Sequence, residues 1–335
     1  MMHEETAANA GVKALLARVQ ELIGDDLREV ERVFLAEIAS RHPFVQEVLA
    51  HLTSYRGKRL RPMLVLLSAL ACGGIEPAHV VLAAVVEMIH TATLVHDDVL
   101  DEATTRRHVA TVNSRWSNET SVLLGDYLFT HAFHLASSLG DATACRLIGR
   151  ATNIVCEGEM AQVADRGNLL LPEEQYFDIV EAKTAELCAV SCYLGAHYAG
   201  ASEAVGQALD RYGRNLGIAF QIADDLLDLA GDEDRTGKSL GTDLQKQKLT
   251  LPIIHLLANA SPAESQRIRE LLAQPDPRTR GTILPLLESR GALDYARGRA
   301  DEFTIAARQQ LTLLPESPAR QLLEELAEFV TIRST

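Results

Sequence analysis

The sequence predicts an all-α chain, and three observations carry that prediction. Apolar residues recur at three- and four-residue spacing through most of the 335 residues, the period of helices that bury one face. Alternating runs bounded by hairpin dipeptides are nearly absent, so strands have no signature here. Helix starts are marked as well: Ser261-Pro262 and Ser317-Pro318 each pair a capping hydroxyl with a proline at the first helical position.

With 47% hydrophobic and 23% charged residues, the composition is that of a globular protein with a sizeable core. It is expected to form one domain over 1–335, with a motif-bearing core at about 55–252 and C-terminal helices over 261–335. A net charge of −14 argues against a nucleic-acid binder, which needs a positive face. Any anionic ligand then depends on local basic clusters or on metal ions.

The opening MMHEETAANAGVK carries early acidic residues and no apolar run, unlike a secretory signal or a transit peptide. Five scattered cysteines without metal-site spacing, among them Cys188 and Cys192 one turn apart, read as reduced core thiols and point to a cytoplasmic protein. The most apolar stretch, Val80 to Val95, is shorter than a membrane span and contains Glu87 and His90, so no stable membrane insertion is expected.

Further along, GKRLRP supplies Lys58, Arg59 and Arg61, with Lys58 and Arg61 on one face if the segment is helical. An apolar helix then ends in LVHDDVLDEATTRR. At ~100° per residue, Asp97 and Asp101 share a face with Asp98 beside them. The same DDxxD spacing returns in FQIADDLLD with Asp224, Asp225 and Asp228. Carboxylates that interrupt apolar helices face an interior where like charges repel, and something cationic must neutralise them. Oxygen-only donors on rigid helices suit several Mg2+ ions completed by water and substrate phosphate.

Beside a phosphate ligand, Lys58, Arg61 and the pair Arg106-Arg107 become diphosphate clamps. His90, two turns below Asp97 on nearly the same face, fits a satisfied core histidine and a ligand equally well. Three stretches read as loops, 166–172, 231–250 and 274–281, and the charge-rich second one is long enough to suggest a lid. Its GKS lacks the full pattern of a nucleotide-binding loop.

In order along the chain, GKRLRP, IHTATLVHDDVLDEATTRR, GDYLFTHAF, EAKTAEL, FQIADDLLD and GKSLGTDLQKQKLTLP make the sequence similar to the trans-isoprenyl diphosphate synthase family, long-chain type, from about Tyr55 to Pro252. A weaker echo lies in AEFVTIR. The resemblance implies a large antiparallel helical bundle around a deep cavity, with an aspartate cluster on each side of its mouth. The reaction it implies is head-to-tail trans condensation of isopentenyl diphosphate with an allylic diphosphate starter, through an allylic carbocation. Both aspartate triplets would bind magnesium and the allylic diphosphate. Lys58, Arg61, His90 and Arg107 match isopentenyl diphosphate positions. Arg106, Lys183, Thr184, Gln221 and Lys238 match allylic substrate positions, and Lys248 a further diphosphate lysine. Thr184 and Gln221 would offer oxygen dipoles to the cation, the 231–250 loop would close over the diphosphates, and a homodimer is expected.

In the family, bulky aromatics at the fifth and fourth positions before the first triplet keep products short. Here those positions are Ala92 and Thr93, which implies a long product, with Phe129 or Phe133 of GDYLFTHAF as a deeper floor. Two departures stand out: His108 where glycine usually follows the arginine pair, and Gln247 where glycine is expected before Lys248. The second occupies a backbone position that often needs positive φ. Competing readings are a non-catalytic subunit of a heteromeric synthase, which usually lacks the aspartates, and a helical HD-type phosphohydrolase using His90, His96 and Asp97. Terpene cyclases and head-to-head synthases do not need the isopentenyl-binding set.

Overall fold

The computed structural model describes residues 2–55, 57, 59–106, 109–231, 240–276 and 278–332. The described chain is helical almost throughout, as the periodicity predicts. Its helices are α1 (Met2–Glu37), α2 (Pro43–Leu52), α3 (Leu60–Cys72), α4 (Pro77–Leu100), α5 (Val112–Arg115), α6 (Asn118–Ser137), α7 (Thr143–Ala164) and α8 (Glu173–Val180). A π-helical turn, Glu181–Ala185, leads into α9 (Glu186–Tyr198) and α10 (Glu203–Ala230). After α11 (Thr242–Gln245) come α12 (Leu251–Asn259), α13 (Pro262–Ala273), α14 (Thr279–Ser289), α15 (Ala292–Gln310) and α16 (Pro318–Ile332).

The predicted caps are made: Ser261 Oγ accepts from Glu264 N, and Ser317 Oγ from Arg320 N at 3.1 Å. Several boundaries differ from the sequence reading. α3 opens only at Leu60, behind Arg59 in the left-handed conformation (φ 54°). The third loop is shorter than expected, because α14 begins at Thr279. A two-residue antiparallel ladder, Thr105–Arg106 against Val109–Ala110, carries no alternating pattern that could announce it.

The chain divides into two compact units. One comprises Met1–Thr152, Leu187–Gly213 and Gln310–Glu325, and the other Asn153–Glu186, Arg214–Gln309 and Leu326–Thr335. In the first, α4 is the core helix: Leu82, Ala83, Val85, Val86, Met88 and Ile89 are wholly buried, and it packs on α1, α3 and α6. Its 24 residues are long and apolar enough to cross a membrane, more than the sequence reading allowed, but 72% of its most apolar window is already covered by protein.

His79 sets the start of α4. Its Nδ1 accepts from Glu76 N at 2.8 Å, so Nε2–H donates to the Gly195 carbonyl at 3.1 Å. Burial of this wholly enclosed ring pushes its pKa below the usual histidine value. Between the two values the unfolded chain binds more protons than the native one, so stability rises with pH there. Stability should therefore fall as pH drops below about 6.5, and the Glu76 amide and Gly195 carbonyl lose partners if the ring is removed. Urea melts of wild type and His79→Gln at pH 7.5 and 5.5 test this: the wild type loses more stability on acidification than the variant. Equal losses would refute the assignment.

In the second unit, Ile218, Ile222, Leu226 and Leu229 of α10 pack with Tyr176, Ile179 and Val180 of α8 and with Leu251, Ile253 and Leu257 of α12. The π-turn carries Lys183 and Thr184, and two glycines make room for it. A Cβ on Gly158 of α7 would meet Ala182 Cβ at 2.8 Å, and one on Gly217 of α10 would meet Ala185 Cα at 2.5 Å. The EAKTA segment is thus clamped between two helices that only glycine lets approach, and π-turns of this kind concentrate at functional positions.

Candidate active site

In the first unit, the first aspartate triplet closes α4. Asp97 and Asp98 occupy its last turn, and Asp101, just past its end, donates its N–H to the Asp97 carbonyl at 2.8 Å. The predicted one-turn spacing therefore holds although Asp101 lies outside the helix. Asp98 is buried, with Oδ1 accepting from Arg106 Nε and Nη2 at 2.8 Å each. Its Oδ2 is buried without a hydrogen-bond partner. Burial raises the Asp98 pKa against the opposing pull of Arg106.

Side-chain bonds around the two-residue ladder explain how Arg106 reaches back to Asp98. Thr111 Oγ1 donates to the Ala103 carbonyl at 2.6 Å, and Asn113 Nδ2 donates to the carbonyls of Ala103 and Asp98 at 3.1 and 3.3 Å. Tyr55, whose OH donates to the Ala110 carbonyl at 3.0 Å, is pushed up to about 12 by burial and the neighbouring Asp98. Tyr55, Thr111 and Asn113 escaped the sequence reading because they hold backbone, and single polar residues carry no spacing signal.

Arg61 is partly buried on the first turn of α3, with Nε unpartnered, and His90 is partly buried on α4. Arg59, grouped with the clamps in sequence, is committed elsewhere: Nη2 meets Glu31 and Nη1 the buried Glu87, both at 2.7 Å. Lys58, Arg107 and His108 lie outside the described residues, as does Lys238 of the second unit. Ala92 is fully buried and Thr93 partly so. Phe129 packs against His96, ring centroids 5.9 Å apart, while Phe133 faces Gly149 of α7.

In the second unit, Asp224, Asp225 and Asp228 ride on α10. Asp225 is buried, and each of its oxygens accepts one hydrogen bond, Oδ2 from Tyr176 OH at 2.7 Å and Oδ1 from Gln221 Nε2 at 2.8 Å. Thr184 Oγ1 donates to Gln221 Oε1 at 2.8 Å. The Gln221 oxygen is therefore taken up by Thr184, which differs from the expectation that both residues present oxygens to a substrate cation. Lys183 Nζ meets Glu159 at 2.6 Å and Gln162 at 3.0 Å, both from α7.

A cavity of about 70 Å³ is lined by Lys183, Gln221, Asp225, Asp243, Lys248 and Gln162, with apolar walls from Ile179 and Leu249. Asp243 is partly buried, and burial and then the Asp228 charge push its pKa up to about 6 against the pull of Lys248. Burial also raises the Asp225 pKa well above the usual carboxylate range, reinforced by the charge of Asp243. Asp243 was missed although GTDLQKQK contains it, because a lone aspartate between loop glycines and lysines reads as solvated charge. Gln247 does adopt positive φ (55°), with Nε2 donating to the Ala273 carbonyl at 2.9 Å and its own carbonyl accepting from Gly167 N at 2.9 Å. Those anchors offset the ~1–2 kcal/mol that a left-handed non-glycine residue costs.

The phosphohydrolase alternative finds no geometry here. His96 Nε2 donates to the Val122 carbonyl at 3.0 Å, and among the described residues no three carboxylates, histidines or cysteines stand close enough to chelate a metal unaided.

Comparison with known proteins agrees with this architecture. Residues 42–287 match the family model described as polyprenyl synthetase. The chain is 37% identical to octaprenyl diphosphate synthase of Escherichia coli (strain K12) over 95% of its own length and 99% of the relative's. The crystal structure of a decaprenyl diphosphate synthase from Rhodobacter capsulatus superposes with a TM-score of 0.90 at 39% identity, covering 95% of this chain and 99% of that one. A polyprenyl synthase from Caulobacter crescentus CB15, complexed with calcium and isoprenyl diphosphate, gives 0.91 at 35% identity over 95% and 98%. The chain belongs to the polyprenyl synthetase family and is a prenyltransferase of the trans, chain-elongating kind.

Proposed function

We propose that the chain uses magnesium to condense isopentenyl diphosphate with an allylic diphosphate, head to tail, and that it makes a long polyprenyl diphosphate. The observation that carries the metal is Asp98 Oδ2, a buried carboxylate oxygen without a partner. The donors of both triplets are all oxygen, and among the described residues no three of them stand close enough to chelate an ion alone. That fits magnesium, which takes one or two carboxylates and completes its shell with water and phosphate. The Caulobacter relative is complexed with calcium and isoprenyl diphosphate, which supports the same chemistry. Asp97, Asp98 and Asp101, and in their own unit Asp224 and Asp225, would hold the ions. When bound, the cations disperse the negative charge that develops on the departing diphosphate.

The remaining steps belong to the protein's own groups. Arg61, His90, Lys58 and Arg107 bind isopentenyl diphosphate, while Arg106, Lys183, Lys238 and Lys248 bind the allylic diphosphate. As the allylic C–O bond ionises, the Thr184 hydroxyl oxygen, oriented by its bond to Gln221, which is itself joined to Asp225, offers its lone pairs to the positive carbon. The isopentenyl double bond attacks that carbon, and loss of a proton to the released diphosphate restores an alkene one unit longer. Exclusion of water keeps the cation from being quenched.

Ala92 and Thr93 support a long product, since neither carries a bulky side chain to stop a chain growing below Asp97. Val122 and Leu123 on α6 are exposed apolar residues, which supports a homodimer, and the free thiols support a cytoplasmic enzyme. The test is incubation with magnesium, farnesyl diphosphate and labelled isopentenyl diphosphate, sizing the dephosphorylated products. A ladder ending in one dominant product beyond four isoprene units is expected, and none with chelator present. A stop at three or four units would sink the long-chain reading. Folded protein that incorporates nothing from any allylic starter would instead support the non-catalytic subunit.

A further inference from the structure

The second triplet is not three equivalent ligands. Asp228 Oδ1 accepts from Thr242 Oγ1 at 2.9 Å and Thr242 N at 3.2 Å, and Oδ2 accepts from Asp243 N at 3.1 Å. Its backbone carbonyl accepts from Gly241 N at 2.8 Å. Four hydrogen bonds from one residue of α10 thus hold three consecutive residues, 241–243. Arg280 of α14 secures the same end of α10, donating to the carbonyls of Leu229 at 2.8 Å and Gly231 at 2.6 Å. At the far end of the segment, Gln247 is tied to Gly167 and Ala273 as described. Between these anchors Lys248 N donates to the Asp243 carbonyl at 2.8 Å, which fixes the two residues relative to each other. Asp243 and Lys248 are the members of this segment that line the cavity with charge.

We propose that Asp228 is a positioning residue: it ties residues 241–243 to α10 and thereby sets Asp243 and Lys248 at the cavity, leaving metal contact in the second triplet to its neighbours. The inference rests on the prenyl-transfer reading for its consequence in catalysis, but its structural half can be measured without metal or substrate. Both carboxylate oxygens of Asp228 already accept, and one of their donors is a side chain that can be removed alone. Thr242→Val deletes that hydroxyl and leaves the Asp228 carboxylate charged. If Asp228 were chiefly a metal ligand, this variant would be silent.

The experiment compares wild type with Thr242→Val, Thr242→Ser and Asp228→Asn by peptide-resolved amide hydrogen exchange, in chelator and without substrate. The expected result is exchange about tenfold faster across 240–248 in Thr242→Val and Asp228→Asn, the scale of one lost hydrogen bond to a charged group. Elsewhere exchange should be unchanged, and Thr242→Ser should match wild type. In the elongation assay Thr242→Val then loses turnover with its magnesium half-saturation unchanged. Unaltered exchange in both variants overturns the proposal, as does a magnesium half-saturation raised by Asp228→Asn while Thr242→Val behaves as wild type. If the wild type elongates nothing, the functional reading fails while the exchange result still decides the anchoring.

Discussion

Asp98→Asn is expected to lower kcat by about 10²–10³-fold, the scale of losing one preorganised electrostatic partner of transition-state charge. The amide is nearly isosteric with the carboxylate and keeps an oxygen for Arg106, so cooperative melting should persist. What it removes is the negative charge, and with it the anionic oxygen that would meet a cation at the buried, unpaired Oδ2 position. A polar atom in that state costs folding free energy, and a protein tolerates the cost where a ligand later supplies the partner. The same variant should lose most of the thermal shift that magnesium and an allylic diphosphate together give the wild type, since a ligand stabilises in proportion to its binding. A kcat within threefold of wild type, with the thermal shift intact, would mean that Asp98 only orients Arg106 and that the metal is held elsewhere.

How much of this was legible in advance depends on whether a residue acts through spacing or through shape. α4 and α10 could be read because apolar periodicity and a DDxxD step both repeat along the chain. Lys183 and Thr184 came from a motif, but the π-turn that carries them did not, since it follows from Gly158 and Gly217 meeting at one place across 59 positions of sequence. Gln247 was noticed as a missing glycine, and the structure shows the positive φ retained. The Gly167 and Ala273 contacts that make it tolerable involve distant residues with no marker of their own. Tyr176 and Asp243 were missed for a related reason. Each matters through what it touches, Asp225 for one and the cavity for the other, and neither contact is local in sequence.

Ala92→Phe should shorten the dominant product to four isoprene units or fewer while keeping turnover within about an order of magnitude. The position lies five residues before Asp97, about 7.5 Å along the helix axis, where a growing chain anchored at the aspartates would pass. The structure adds a control that the sequence could not. Ala92 is wholly enclosed, so a phenyl ring there overpacks the first unit at a cost of ~1–3 kcal/mol. Thr93, partly exposed and with its hydroxyl bonded back to the His90 carbonyl at 2.8 Å, takes the same ring with less displacement. Both variants should shorten the product, but only Ala92→Phe should melt markedly earlier. Product analysis and thermal denaturation of the two proteins together therefore separate a steric stop from general loosening of the core. If length falls only where stability falls, loosening explains it. If Ala92→Phe melts early and still makes the wild-type product, Ala92 is core alone and the chain-length limit lies at another wall.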